Sequence, residues 1–87
     1  MNYLDYRMDA GPNTVIQVKI EGKACVRLLD LLNYYKYRAG KQYISAFYYE
    51  DTSLAQLSPP YRGEWHIIVD LNGKQGEIRA VVDVLRS

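Results

Sequence analysis

Residues 34–49 contain six of the nine tyrosines, together with Lys36, Arg38 and Lys41. This segment contains no carboxylate, and the next one along the chain is Glu50. A phenol ring can stack on a ligand while its hydroxyl forms a hydrogen bond. A neighbouring cation can bind an anion or lie over the ring face. This segment is therefore the strongest candidate for a recognition surface.

We predict a binding site in this region that also includes two residues from farther along the chain. The predicted binding residues are Tyr34, Tyr35, Tyr37, Arg38, Lys41, Arg62 and Trp65. Their chemistry suits a small anionic or sugar-like ligand or a protein partner. Folding is the competing explanation, because tyrosine rings also cover the half-buried face of a sheet. We expect at least some of the rings to be exposed.

His66 is the only histidine and Cys25 the only cysteine. A small hydrolase that uses His66 with Asp70 or Cys25 is an alternative function from another class. A general base needs a partner at hydrogen-bond distance, and a catalytic triad is defined by geometry rather than by residue types. We therefore expect a non-catalytic protein with an outward-facing His66 and a structural Cys25. Asp30 and Asp70 each end a strand, where aspartate commonly accepts hydrogen bonds from backbone amides.

Metal and cofactor sites are not expected. Stable transition-metal sites usually need three or four protein ligands, more than one histidine and one cysteine supply. Gly73 and Gly76 are not followed by the lysine and serine of a phosphate-binding loop.

Length and charge favour one small domain over residues 1–87, because a chain of this size can bury a single core. The net charge of +1 is too small for the long-range field of most nucleic-acid binders, so we expect no nucleic-acid partner. Cys25 alone cannot form an internal disulfide. The chain lacks a signal-peptide pattern and any apolar run near the roughly 20 residues that span a bilayer. We expect a cytoplasmic protein without a membrane partner.

Alternation of apolar and polar side chains is the main pattern along the chain, and it is typical of strands with one solvated face. It predicts strands over residues 4–8, 14–20, 24–29, 43–49, 54–57, 65–71 and 78–84. The glycine of Glu21-Gly22 suits a tight reversal, so residues 14–29 are predicted to form a hairpin. Ser58-Pro59-Pro60 should form an edge or a connection, because proline cannot donate to a strand ladder. A helical turn competes only over residues 30–37, where Asp30 could cap it and Gly40 would end it. The predicted fold is all-β, a small antiparallel β-sandwich or barrel of six to eight short strands.

Three stretches carry a resemblance to a known family. They are Val26-Arg27-Leu28-Leu29-Asp30 with the residues up to Gly40, Pro60-Tyr61-Arg62-Gly63-Glu64-Trp65-His66, and Val69-Asp70-Leu71-Asn72-Gly73. In these stretches the chain resembles the bacterial family called "domain of unknown function 1883". The resemblance implies a compact β domain without established activity, found alone or attached to Toll/interleukin-1 receptor-type domains. It implies no catalytic residues, and it suggests a sensing or assembly module. Independently of the resemblance, the tyrosine-rich surface could be a subunit interface, which makes a structural homo-oligomeric domain the alternative.

Overall fold

Most of the alternating segments form strands in the structure, a computed structural model that describes residues 3–86. The elements are β1 (Tyr3–Ala10), β2 (Val15–Asp30), α1 (Leu31–Arg38), β3 (Phe47–Leu57), β4 (Gly63–Asp70) and β5 (Ala80–Arg86). The strands pair antiparallel in the order β1-β4-β2-β3, and β5 pairs with β2. The all-β prediction is confirmed, although the described residues form five strands rather than six to eight. The sandwich or barrel arrangement stays a prediction. Met1, Asn2 and Ser87, which the single-domain prediction includes, lie outside the described residues.

The predicted hairpin over residues 14–29 is wrong, because these residues form the single long strand β2. Its first half pairs with β5 and its second half with β4, while β3 runs along both halves. Each half of β2 therefore pairs with other strands and not with the other half of β2. Gly22 still adopts a positive φ of 86°. It does so within an irregular stretch, where the register between β2 and β3 shifts between Lys19 and Ala24. Such bulges bend a strand without reversing it.

Helix α1 forms where the sequence predicts a helical turn. Asp30 caps it, since its Oδ1 accepts a hydrogen bond of 2.8 Å from the backbone N–H of Asn33. The helix ends at Arg38, and Gly40 follows with a φ of 73°, the left-handed conformation that glycine adopts most easily after a helix. Within the described residues, no helix has the length and apolar character needed to cross a membrane.

The segment after α1 departs from the predicted strand over residues 43–49. Strand β3 begins only at Phe47, because the backbone N–H of Ile44 bonds to the side chain of Asn33 at 2.9 Å instead of to a strand. The prolines of Ser58-Pro59-Pro60 lie in the connection between β3 and β4, as predicted. Residues 39–46 therefore form a loop that lies beside the helix.

Both faces of β4 and of the second half of β2 are buried. One face packs into the main core, to which both halves of β2 contribute, and it includes Val26, Leu28, Trp65, Ile67 and Val69. The Tyr6 hydroxyl donates to the Ala80 carbonyl oxygen at 3.2 Å, so β1 and β5 also meet around this core. The other face carries Leu29 and Ile68, on which Tyr34 and Tyr37 of α1 pack. The prediction of an outward His66 is wrong, because α1 covers the face on which this histidine lies and leaves it 3% exposed.

Candidate functional site

A buried ion pair lies on the face of the sheet that α1 covers. Arg27 of β2 donates from Nη1 to Oδ2 of Asp70 on β4 at 2.5 Å, and both side chains are buried. The hydroxyl of Tyr37, on α1, donates to the same oxygen at 2.5 Å. The other carboxylate oxygen, Oδ1, accepts from the backbone N–H of Asn72 at 3.0 Å. The Asp70 carboxylate thus joins two strands, the helix and the turn after β4.

Aromatic rings surround the Arg27 guanidinium. Its Cζ atom lies 4.9 Å from the centroid of the Tyr48 ring and 5.7 Å from that of Tyr37. Burial lowers the pKa of Arg27. Its hydrogen bond and charge interaction with Asp70, with a smaller contribution from Tyr43, raise the pKa by more than burial lowers it. The net pKa lies above the usual value. Arg27 is therefore a permanent positive charge inside the protein.

The ion pair forms the inner wall of a pocket of about 200 Å³, which we call the Arg27 pocket. Gly40, Lys41 and Tyr43 line it from the loop after α1, and Asn72 and Gly73 line it from the turn after β4. Arg27, Tyr37 and Asp70 complete the lining. Two cations and one carboxylate give this lining a formal charge of +1.

A wider groove of about 690 Å³ adjoins the Arg27 pocket and shares Gly40, Lys41 and Tyr43 with it. Asn33 and Lys36 of α1 and the 77% exposed Ile44 also line this groove. The Tyr43 ring meets the Tyr37 ring edge-on, with 5.3 Å between the centroids, at the border of the two spaces. The groove and the pocket could therefore hold two parts of one ligand.

The seven predicted binding residues divide into a buried and an exposed group. Tyr34, Tyr37 and Trp65 are at most 8% exposed, so their rings are largely enclosed by the protein, and of the three only Tyr37 lines the Arg27 pocket. Tyr35 is 55% exposed, which agrees with the prediction that some rings are exposed. Arg38, Lys41 and Arg62 are also exposed.

These residues do not form one surface. Trp65 lies in the main core, on the side of the sheet opposite α1, and its Nε1 donates to the Tyr61 carbonyl oxygen at 3.0 Å. The Tyr61 hydroxyl in turn donates to Asp30 at the start of α1, at 3.2 Å. Lys41 follows the other end of this eight-residue helix, about 12 Å away at 1.5 Å per residue. Of the seven residues, Tyr37 and Lys41 line the Arg27 pocket.

Arg27, Tyr43 and Asp70 line the pocket but were not predicted as site residues. Arg27 shares its strand face with Cys25 and Leu29, and a charge on such an apolar face requires a buried partner. That pattern could have singled out Arg27. The backbone-binding role predicted for Asp70 is correct for Oδ1 and incomplete, because Oδ2 accepts from Arg27 and Tyr37.

His66 forms a separate buried cluster. Its Nδ1 lies 2.9 Å from Oδ1 of Asp5 on β1, and its ring stacks on Tyr34 of α1 with 3.9 Å between the centroids. Its Nε2 lies 3.5 Å from Oε2 of Glu64 and, within residues 3–86, forms no hydrogen bond. The ring therefore bridges β1, β4 and α1 inside the protein.

The hydrolase alternative gains no geometric support. His66 and Asp70 are four positions apart on β4, a separation of roughly 13 Å along a strand. Cys25 lies opposite Asp70 in the ladder, and its Sγ accepts a hydrogen bond of 3.6 Å from the Tyr48 hydroxyl. In the described part of the chain, His, Cys, Asp and Glu side chains form no group of three or more that could hold a metal ion.

Comparison with known proteins connects this fold to one family. Neither the curated proteins nor the solved structures gave a match. The sequence model of one family, described as "Domain of unknown function (DUF1883)", matches residues 1–87, the whole chain. The chain therefore belongs to the DUF1883 family.

Proposed function

We propose that this protein is a non-catalytic recognition module and that a small ligand binds in the Arg27 pocket. The observation that carries the proposal is a buried, permanently charged guanidinium in the wall of a pocket between two loops. Burying a charge costs free energy, and the cost is offset here by Asp70 and by two aromatic rings. A charged group held at fixed geometry beside an opening to solvent is well suited to bind a ligand.

The lining of the pocket supports this role. Lys41 lies at the rim, and Tyr43 supplies a ring and a hydroxyl where the pocket meets the wider groove. Arg38 and Tyr35 are exposed on α1 but line neither the pocket nor the groove, so the proposal does not depend on them. The resemblance implies attachment to Toll/interleukin-1 receptor-type domains in other proteins, a setting in which a ligand-binding module would act as a sensor.

Thermal unfolding in the presence of a small-molecule extract tests the proposal. A ligand that binds only the folded state raises the transition temperature. The extract, made from the protein's own cells and filtered to remove macromolecules, should raise the transition temperature of the wild type. The Lys41→Ala variant should show a clearly smaller shift at the same extract concentration, whereas Lys19→Ala, which removes an exposed lysine of β2, should show the full shift. An extract that shifts neither the wild type nor the control contradicts ligand recognition.

Self-association is the second candidate, and the exposed apolar side chains around α1 favour it. Leu32 is 62% exposed, Tyr35 55% and Ile44 77%, and tyrosine and apolar side chains are common at the centre of protein interfaces. The partner would be a second copy of this chain. Analytical ultracentrifugation should then show a dimer that Leu32→Asp dissociates. A strict monomer at high concentration contradicts this candidate.

A further inference from the structure

We infer that the ligand group held in the Arg27 pocket is an oxyanion, a carboxylate or a phosphate. The inference rests on the proposed recognition function and specifies the chemical class of the ligand. It depends on which hydrogen-bonding groups of the pocket are already used and which remain available.

The one carboxylate of the pocket has little capacity left for a ligand. Asp70 already accepts from Arg27, Tyr37 and the backbone of Asn72. An ionised carboxylate offers about four acceptor positions, so at most about one remains. A ligand that mainly donates hydrogen bonds, such as an ammonium group, would find few acceptors here and would also meet two cations.

Donors, by contrast, are in excess. Arg27 carries five N–H donors, of which Nη1 binds Asp70 and another can interact with the Tyr43 hydroxyl, so several remain. Lys41 carries three donors and, in the described residues, forms no salt bridge. Guanidinium and ammonium groups form their strongest hydrogen bonds with carboxylate and phosphate oxygens. The available side-chain chemistry therefore favours an oxygen anion.

Three of the loop amides are already used as hydrogen-bond donors within the protein. The backbone N–H of Gly40 bonds to the Tyr37 carbonyl oxygen at 3.2 Å, and that of Lys41 bonds to the Lys36 carbonyl oxygen at 2.8 Å. The Asn72 amide is bound to Asp70. We therefore infer that Arg27 and Lys41 are the main donors, which predicts that removing the Lys41 charge weakens anion binding.

Pocket size limits the anion to a small group. Sites for drug-sized ligands usually measure about 300–1,000 Å³, whereas this pocket measures about 200 Å³. The pocket thus suits a carboxylate or phosphate with a few attached atoms. Anything larger would extend along the groove past Tyr43 towards Ile44.

Two-dimensional ¹H–¹⁵N NMR titrations test the inference with sodium phosphate and sodium acetate as probes, against sodium chloride at matched ionic strength. At least one probe should cause saturable shifts at the Gly40, Lys41 and Gly73 amides and at the Arg27 Nε–H. Lys41→Gln should weaken that binding about two- to fivefold, within the range expected for one solvent-exposed ion pair, and Lys19→Gln should not. Binding by acetate alone indicates a carboxylate ligand, and binding by phosphate alone indicates a phosphate.

The inference fails if neither probe causes larger shifts than chloride, or if Lys41→Gln and Lys19→Gln behave alike. Shifts of that kind would reflect an adventitious ion only. If the probes fail while the cell extract still stabilises the protein in a Lys41-dependent manner, recognition survives and the oxyanion inference is overturned. If neither the probes nor the extract acts, both proposals fall.

Discussion

Replacing Asp70 by asparagine should remove a large part of the free energy of unfolding of this protein. Asparagine keeps the size of the side chain and one acceptor oxygen, but it carries no charge and cannot neutralise Arg27. Arg27 is 7% exposed and Asp70 2% exposed, so water in the adjoining pocket can replace only a small part of the lost interaction. Breaking a buried ion pair in this way typically costs about 3–5 kcal/mol.

This loss is large compared with the total. At roughly 0.05–0.15 kcal/mol per residue, 87 residues give a free energy of unfolding of about 4–13 kcal/mol. Urea unfolding followed by the fluorescence of Trp65 measures the change through the midpoint and the slope. Asp83→Asn is the matched control, because Asp83 is exposed on β5 and its substitution should change stability by less than about 0.5 kcal/mol.

A compensated variant separates the buried charge from other effects of the substitution. Combining Arg27→Met, Tyr37→Phe and Asp70→Leu removes the cation, the anion and the hydroxyl that binds the anion. Replacing a buried ion pair by apolar residues of similar size is often neutral or stabilising, so most of the loss should be recovered. The reasoning is refuted if the free energy of unfolding of Asp70→Asn lies within about 1 kcal/mol of the wild-type value, because a buried and unpaired Arg27 should destabilise the protein by more than that.

Three further predictions concern α1 and its surroundings. Asp30→Ala removes the helix cap and should lower the free energy of unfolding, measured in urea, by about 1 kcal/mol. A loss below about 0.3 kcal/mol would show that the Asp30 cap does not stabilise the helix. The hydrogen bond with Tyr3, together with burial and nearby Asp5, raises the pKa of Tyr34 to about 12. In the unfolded chain the Tyr34 phenol ionises near pH 10, so the free energy of unfolding should fall as the pH rises from 10 to about 12. Tyr34→Phe should reduce this fall. An equally steep fall in the variant would contradict the raised pKa of Tyr34. Gly40→Ala should cost about 1–2 kcal/mol because of its φ of 73°, although an added Cβ would meet nothing within 4 Å. Gly63→Ala is the control, and equal effects of the two would argue against backbone strain.

Local features were the most predictable from the sequence. The Asp30 cap and the Gly40 stop each depend on interactions within a few residues, and both were predicted correctly. The alternating pattern also located most strands, because it reflects one buried face of each strand. Where both faces are buried, as in β4, alternation located the strand but wrongly placed His66 at the surface.

Features that depend on distant partners were not predictable in the same way. Glycine in β2 suited a turn and a bulge equally well, and only the competing pairings with β4 and β5 select the bulge. The Arg27–Asp70 pair joins residues 43 positions apart, so no local pattern shows it. The tyrosine-rich segment drew attention to the helix α1 and the loop that follows it. It did not distinguish Tyr37, which packs in the core, from Tyr35, which is exposed.

Native mass spectrometry of the protein isolated from its own cells tests the proposed recognition function most directly. The wild type and Lys19→Ala should each retain one non-covalent small molecule that carries a carboxylate or phosphate group, and Lys41→Ala should retain a clearly smaller share of it. Wild-type protein that carries no small molecule, or a molecule that Lys41→Ala retains as fully as the control does, would contradict the Arg27 pocket as a ligand site.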